Sequence, residues 1–127
     1  MDMLIRLGDL VDGTGSAKRQ ADVVVENGLI KGIERAGSVD PGQAETVIDA
    51  AGKLVTPGFV DPHTHYDGQA TWDDRLAPSS DHGVTTAVMG NCGVGFAPVR
   101  PGGEEFLIAL MEGVEDIPGA ALADGID

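Results

Sequence analysis

Basic residues, cysteine and long apolar runs are all scarce in this sequence, and each shortage excludes a class of partner or site. Lys and Arg number 8 against 21 Asp and Glu, so the formal net charge is −13 at pH 7. Nucleic acids and anionic membranes are recognised by basic patches, so this balance argues against both as partners. No apolar run approaches the roughly 20 residues that span a bilayer, which argues against a membrane protein.

Cysteine occurs once, at Cys92, which excludes a disulfide within the chain. A lone cysteine is typical of a protein from a reducing compartment. The first residues, Met1 to Arg6, also lack the layout of a secretory signal. We therefore expect a cytoplasmic protein.

The first part of the chain predicts a small β unit. A chain of 127 residues with 42% hydrophobic residues can bury one modest core, and its 19 glycines indicate many tight turns. Asn27-Gly28 is a strong hairpin signal, because both central residues of a type I′ turn need positive φ. Short strands are predicted over 3–7, 21–26, 29–33, 46–49 and 54–56, and we expect them to pair antiparallel.

The pattern changes at Pro57. An apolar run from Leu54 to Val60 predicts a strand that opens into a loop at Asp61-Pro62, and residues 84–89 predict a buried strand. Between them, residues 78–82 predict a short helix that Gly83 ends in the left-handed conformation. Residues 104–114 predict a longer helix, whose apolar stripe we expect to be core packing: Phe106, Leu107, Leu110, Met111 and Val114. This order is typical of the start of a parallel βα series, in which two strands cannot close a barrel.

The histidine pair at the end of the first of these strands indicates a metal site. His63 and His65 lie two residues apart, and in extended chain that spacing directs both imidazoles to one side. Neutral imidazole is the commonest metal ligand. An α/β barrel places its chemistry at this C-terminal end of a strand. The alternative is an ordinary pair of surface or turn histidines.

Cys92 follows the second strand as the histidines follow the first. If the two strands are parallel neighbours, both loops open at one edge, and a thiolate joins two imidazoles as candidate zinc ligands. The alternative is a small buried hydrophobe, the usual role of a free cysteine. For His82 a structural role at a helix end is favoured. Asp67, Asp73 and Asp74 are either partners of the histidines or solvated loop carboxylates.

Four segments of the sequence resemble the amidohydrolase superfamily, and its N-acyl-D-amino-acid deacylase (D-aminoacylase) branch in particular. They are Leu4 to Gly15, Ala21 to Ile30, Val55-Thr-Pro-Gly-Phe-Val-Asp-Pro-His-Thr-His-Tyr-Asp67 and Gly83-Val-Thr-Thr-Ala-Val-Met-Gly-Asn-Cys-Gly-Val-Gly-Phe-Ala-Pro98. The third resembles the metal-binding strand of the superfamily. The fourth, with its Gly90-Asn-Cys-Gly93 loop, resembles the deacylase branch.

The resemblance implies an α/β fold in which the N-terminal part of a small β-sandwich precedes the first βα units of a TIM-type (β/α)₈ barrel. Residues 1–56 would belong to the composite sandwich and residues 57–127 to the barrel. The implied cofactor is zinc, with His63 and His65 at one metal position and Cys92 at the tightly held zinc. The implied reaction is the hydrolysis of a small-molecule substrate, an N-acyl amino acid, which releases a carboxylate and a D-amino acid.

This chain departs from the family pattern in its length. The family's remaining histidine ligands and its aspartate general base come from later barrel strands, so no catalytic base is identifiable here, and we expect the chain alone to be inactive. A second hypothesis is a non-catalytic fragment or subunit that needs a separate barrel-completing chain. A third is a hydantoinase-like or dihydropyrimidinase-like cyclic amidase, against which the Gly90-Asn-Cys-Gly93 loop counts.

Overall fold

The computed structural model describes residues 1–90 and 92–125 and has mixed α/β structure. The chain divides into two compact units, one from Met1 to Pro57 and one that begins at Gly58. Each unit is described by itself below.

A five-stranded sheet forms the first unit. Its strands are β1 (Met3–Leu10), β2 (Arg19–Glu26), β3 (Leu29–Arg35), β4 (Thr46–Asp49) and β5 (Leu54–Val55). The order is β3-β2-β1-β4, and β5 also pairs with β1. Asn27 and Gly28 have φ of 52° and 72°, which confirms the predicted turn between β2 and β3. Leu10, Ala21 and Val23 form the buried cluster beneath the sheet.

The expectation of a wholly antiparallel unit is wrong. β1, β2 and β3 are antiparallel, but β4 pairs with Met3–Arg6 of β1 in parallel, and β5 pairs in parallel with Asp9 and Leu10. The reason is the return of the chain to the start of β1, where the N–H of Thr46 donates to the carbonyl of Asp2 over 3.0 Å. β4 therefore enters the sheet in the direction of β1.

An irregularity in β1 organises the polar interior of this unit. Leu7 has φ of 60°, and the pairing with β2 shifts register between Ile5 and Gly8. The Leu7 N–H, turned out of the ladder, donates to Oδ1 of Asp22 over 2.9 Å. Asp22 is fully buried. Burial alone would raise the pKa of Asp22, but backbone N–H donors of Gly37, Leu7 and Val39 and the charge of Arg6 hold that pKa below its usual value.

The second unit combines a two-stranded sheet with two helices. Its elements are β6 (Phe59–Asp61), β7 (Val84–Ala87), α1 (Glu104–Glu115) and α2 (Gly119–Gly125), with 3₁₀ turns at Gln69–Thr71 and Ser80–His82. β6 and β7 are parallel, which confirms the predicted pairing. Gly58 precedes β6 and leaves no room for a larger residue, because a Cβ there would overlap the side chain of Thr85. Gly83, with φ of 87°, ends the second 3₁₀ turn as predicted.

Two strand predictions need correction. The apolar run from Leu54 to Val60 is not one strand, because it breaks at Pro57-Gly58 into β5 and β6. Pro57 has no N–H to donate to a ladder, and it is the last residue of the first unit. The strand predicted over 84–89 ends at Ala87. Helix α2, which was not predicted, begins after Pro118, whose carbonyl accepts from the N–H of Ala121 over 2.8 Å.

The apolar stripe of α1 is covered only in part. Met111 is fully buried, but Phe106 is 71% exposed, Leu110 40% and Val114 45%. For these three residues the expectation of core packing is wrong in the described structure. Among residues 1–90 and 92–125, no helix has both the length and the hydropathy that a membrane span requires.

Candidate metal centre

The loop after β6 is fixed by a residue that lies between the two histidines. Thr64 is only 6% exposed, and its Oγ1 donates to the carbonyl of Val88 over 2.9 Å. The N–H of Val88 donates to the carbonyl of Asp61 over 2.9 Å, just past the end of β7. Thr64 therefore points inward and ties the loop to the neighbouring strand.

His63 and His65 flank Thr64 and take the opposite side of the chain. Both are exposed, and their rings stack with centroids 5.6 Å apart and planes at 25°. The N–H of His63 donates to Oδ1 of Asp61 over 3.1 Å, which anchors the start of the loop. The period of two thus places both imidazoles together, with a buried threonine behind them.

Cys92 joins the histidines from the loop after β7. One ligand atom from each of His63, His65 and Cys92 can be chosen so that all three lie within 4.8 Å of one another. Cys92 is exposed, so it is not the small buried hydrophobe of the alternative interpretation. Asn91, which belongs to the same sequence motif, lies outside the described residues.

This donor set fits zinc. Thiolate and imidazole are both good zinc ligands, and tetrahedral coordination at 2.0–2.3 Å separates ligand atoms by roughly 3.3–3.8 Å. The described cluster, with its atoms within 4.8 Å, is close to that size. Three protein ligands leave a fourth coordination position, which is the pattern of catalytic zinc sites.

Asp67 links the two loops that carry these side chains. Its Oδ2 accepts from the N–H of Gly90 over 3.2 Å. A Cβ at Gly95 would lie 2.6 Å from its Oδ1, so the carboxylate fits closely against the second loop. Asp67 is thus a bridge to the loop of Cys92, whereas the sequence suggested a partner for the histidines or a solvated group.

The other acidic residues considered from the sequence have local roles or are exposed. Asp73 accepts from Gln69 and from the N–H groups of Arg75 and Ala77. These donors, the Gln69 side chain above all, lower the pKa of Asp73. Asp74 is exposed.

His82 and Tyr66 are two further polar side chains of this unit. His82 is exposed at the end of a 3₁₀ turn and is not part of the metal-ligand cluster among the described residues. The hydroxyl of Tyr66 lies 2.6 Å from Oγ of Ser79, so this side chain ties the loop to the turn before β7.

Glu115 is the residue near the cluster that sequence reasoning missed. Its Oε1 lies 2.7 Å from Nδ1 of His65, although the two residues are 50 positions apart. The Glu115 side chain is only 9% exposed. A signal was available, because Glu115 follows the fully buried Met111 by four residues and so lies on the covered face of α1. An acidic residue on that face is unusual and indicates a specific partner.

The comparison with known families is decisive for this unit. The family model described as "Amidohydrolase family" matches residues 46–125, which include the loop of His63 and His65 and the loop of Cys92. This chain belongs to the amidohydrolase family. The matched segment of this family member carries the His-x-His loop and the cysteine loop.

Relatives of this family member include a protein named as a D-aminoacylase. This chain is 39% identical over 98 residues to that D-aminoacylase of Alcaligenes xylosoxydans, covering 77% of this chain and 20% of that protein. It is 44% identical over 91 residues to an uncharacterized protein of Mycobacterium tuberculosis, covering 72% of this chain and 15% of the relative. The chain therefore spans about a fifth or less of the length of these relatives.

A solved deacylase structure shares the fold of this amidohydrolase segment. It is the N-acyl-D-glutamate deacylase of Bordetella bronchiseptica, complexed with zinc and a phosphonate inhibitor that mimics the tetrahedral intermediate of the reaction. The identity is 37% and the TM-score 0.68, over 87% of this chain and 23% of that one.

Proposed function

We propose that this chain is the beginning of an N-acyl-D-amino-acid deacylase, which hydrolyses a linear amide C–N bond with a zinc-activated water. The observation that carries the proposal is the cluster of His63, His65 and Cys92, whose ligand atoms lie within 4.8 Å. The relatives support the substrate class, because they include a D-aminoacylase and an N-acyl-D-glutamate deacylase.

In this proposal the three clustered side chains supply metal ligands, and neighbouring residues hold those side chains in place. Zinc, when bound, supplies a Lewis acid that polarises a carbonyl and lowers the pKa of a bound water. Thr64 fixes the histidine loop to the end of β7, and Asp67 joins that loop to the loop of Cys92. No general base is assigned among the described residues, and we expect it from a later barrel strand.

The same proposal assigns residues 1–56 to a composite β-sandwich and residues 57–127 to the start of a (β/α)₈ barrel. Parallel sheets are normally covered on both faces. In the second unit, by contrast, Phe59 and Val60 of β6 are 57% and 62% exposed. We therefore expect further barrel strands to cover this sheet, and the chain alone to lack deacylase activity.

The metal site is tested by zinc titration of the full chain against a chromophoric chelator. We expect one zinc per chain, and Cys92→Ser should weaken binding by more than the 10–100-fold typical of an outer partner. His82→Ala is the matched control, because His82 is exposed and outside the cluster, and it should leave the affinity unchanged. Unchanged zinc binding in Cys92→Ser would refute the ligand role of the cysteine.

A chimera tests whether this segment supports deacylase chemistry, because the single chain is expected to be inactive. Residues 1–125 replace the matching segment of the D-aminoacylase that is 39% identical. We expect hydrolysis of N-acetyl-D-amino acids, its loss with His65→Ala, and no hydrolysis of hydantoins. Activity on the hydantoins alone would favour the cyclic amidase.

The second candidate is a subunit that a separate chain completes, and it accounts equally well for the exposure of Phe59, Val60 and Phe106. Under this hypothesis a purified partner chain carrying the later barrel strands should restore activity when mixed with this chain. The first candidate instead requires those strands in one continuous polypeptide.

A further inference from the structure

We infer that Glu115 is a positioning residue that fixes the tautomer and orientation of His65, so that Nε2 is the atom presented to the metal. The inference rests on the proposed function, because the orientation of His65 matters only if His65 is a metal ligand. Its geometry is independent of that role, because Oε1 of Glu115 lies 2.7 Å from Nδ1 of His65.

The contact has a defined direction. An ionised carboxylate can only accept hydrogen bonds, so the neutral imidazole must carry its hydrogen on Nδ1 and donate it to Glu115. Nε2 is then the nitrogen with a free lone pair. In metal sites, a carboxylate bonded to the far nitrogen of a ligating histidine fixes ring orientation and raises ligand basicity.

The position of Glu115 is also costly unless it has a partner. Glu115 is the last residue of α1, where the helix dipole disfavours negative charge, and no basic residue lies in the last turn. Its side chain is only 9% exposed, against 42% for that of His65. Water therefore solvates this carboxylate poorly, and the histidine N–H replaces part of that solvation.

The fold holds Glu115 in place from two sides. Met111, four residues earlier, is fully buried, so the covered face of α1 continues into Glu115. After α1 the chain turns at Asp116, in the left-handed conformation with φ of 57°, into α2. Leu122 of α2 is fully buried, and a Cβ at Gly68, three residues after His65, would lie 2.6 Å from its Cδ2. Both helices thus pack near the histidine loop within one unit.

The decisive experiment reads the tautomer directly. Two-bond ¹H–¹⁵N spectra of the full chain without metal, at a pH where the imidazole is neutral, distinguish Nδ1–H from Nε2–H. We expect His65 to be the Nδ1–H tautomer in the wild type and to revert mainly to Nε2–H in Glu115→Ala. Glu112→Ala removes an exposed carboxylate from the same helix and should leave the spectrum unchanged.

Zinc affinity gives the second measurement. Glu115→Ala should bind zinc about 10–100-fold more weakly, as for other outer partners of metal ligands. Glu115→Gln should retain most of the affinity, because its amide oxygen still accepts from Nδ1–H. Glu112→Ala should bind as the wild type does.

The outcomes separate this inference from the proposed function. An Nε2–H tautomer at His65 in the wild type, or an equal loss of affinity in Glu112→Ala and Glu115→Ala, overturns the role of Glu115. If the wild type binds no zinc, the proposed function fails, while the tautomer still decides this inference. If Glu115→Ala does not fold, the wild-type spectrum and Glu115→Gln supply the test.

Discussion

The two units of this molecule differ in what they bury and in what they expose. Of the buried apolar residues in the described structure, the first unit holds Leu4, Leu10, Ala21, Val23 and Ala50, and the second holds Met111 and Leu122. Every histidine, aromatic residue and cysteine lies in the second unit. The first unit therefore holds most of the buried apolar residues and no candidate ligand, whereas the second carries the candidate ligands on a smaller core.

The buried carboxylates also differ between the two units. In the first unit, a buried carboxylate serves the backbone, because Asp22 accepts from Leu7 and Val39. In the second unit, a nearly buried carboxylate serves a side chain, because Glu115 contacts His65. The sequence alone does not distinguish these two roles. Asp22 accepts hydrogen bonds from backbone N–H groups at an irregular strand, whereas Glu115 contacts a candidate metal ligand.

The largest expected effect on this comparison comes from truncation of the first core. Leu4 is fully buried, and Leu4→Ala should lower the free energy of unfolding by about 2–5 kcal/mol. Urea unfolding followed by far-UV circular dichroism measures the loss. Trp72 is the one tryptophan and lies in the second unit, so its fluorescence follows that unit separately. An unchanged dichroism midpoint would contradict the assignment of Leu4 to a stabilising core.

An intermediate effect is expected at Asp22, and it depends on pH. The pKa of Asp22 is lowered in the folded chain, so its contribution is present above the unfolded value of 3.8 and is lost as pH falls through the folded pKa. Asp22→Asn should cost about 1–3 kcal/mol near neutral pH, because it weakens hydrogen bonds to buried N–H donors.

Urea unfolding at neutral pH and at about pH 3 checks this sign, since linkage makes the stability difference pH-dependent. The difference between wild type and Asp22→Asn should shrink at the lower pH. Asp49→Asn is the matched control, because Asp49 is an exposed aspartate of the same sheet. A difference that stays constant with pH would contradict the role of the buried charge.

Two glycines test the contrast within the second unit, with expected effects no larger than the effect at Asp22. Gly58→Ala should cost about 1–3 kcal/mol, because the added Cβ would overlap Thr85 beside the β6–β7 pair. Gly113→Ala, in the middle of α1, meets no atom within 4 Å and should stabilise by up to about 1 kcal/mol. Thermal melting followed by Trp72 fluorescence compares the two, and equal shifts of the same sign would refute this interpretation.

Turns that require a residue with positive φ are the part of the fold that the sequence predicts. Asn27-Gly28 is compatible with only a few turn types. Gly83 was predictable for the same reason, because glycine readily adopts the positive φ that the end of a helical turn requires. The apolar run before His63 was misleading, because composition does not reveal that Pro57 divides it between two sheets. The parallel entry of β4 also escaped prediction, since strand direction depends on where the chain returns.

The candidate site is likewise predicted only in part by the sequence. The spacing of His63 and His65 placed both rings on one side, and the parallel strands brought Cys92 to them. Glu115 was missed because its contact spans 50 residues and no local pattern reports a distance in space. Its position four residues after Met111, a residue of the predicted apolar stripe, was the available clue.

The inward-pointing Thr64 makes the histidine pair sensitive to insertions and deletions, independently of substitution. Its hydroxyl holds the carbonyl of Val88, so the alternation of sides along residues 61–65 is counted from a fixed point. One residue added between Thr64 and His65 would turn His65 to the side of the threonine and away from His63. Two residues added there would restore the order, so length variants of this loop should be tolerated in steps of two.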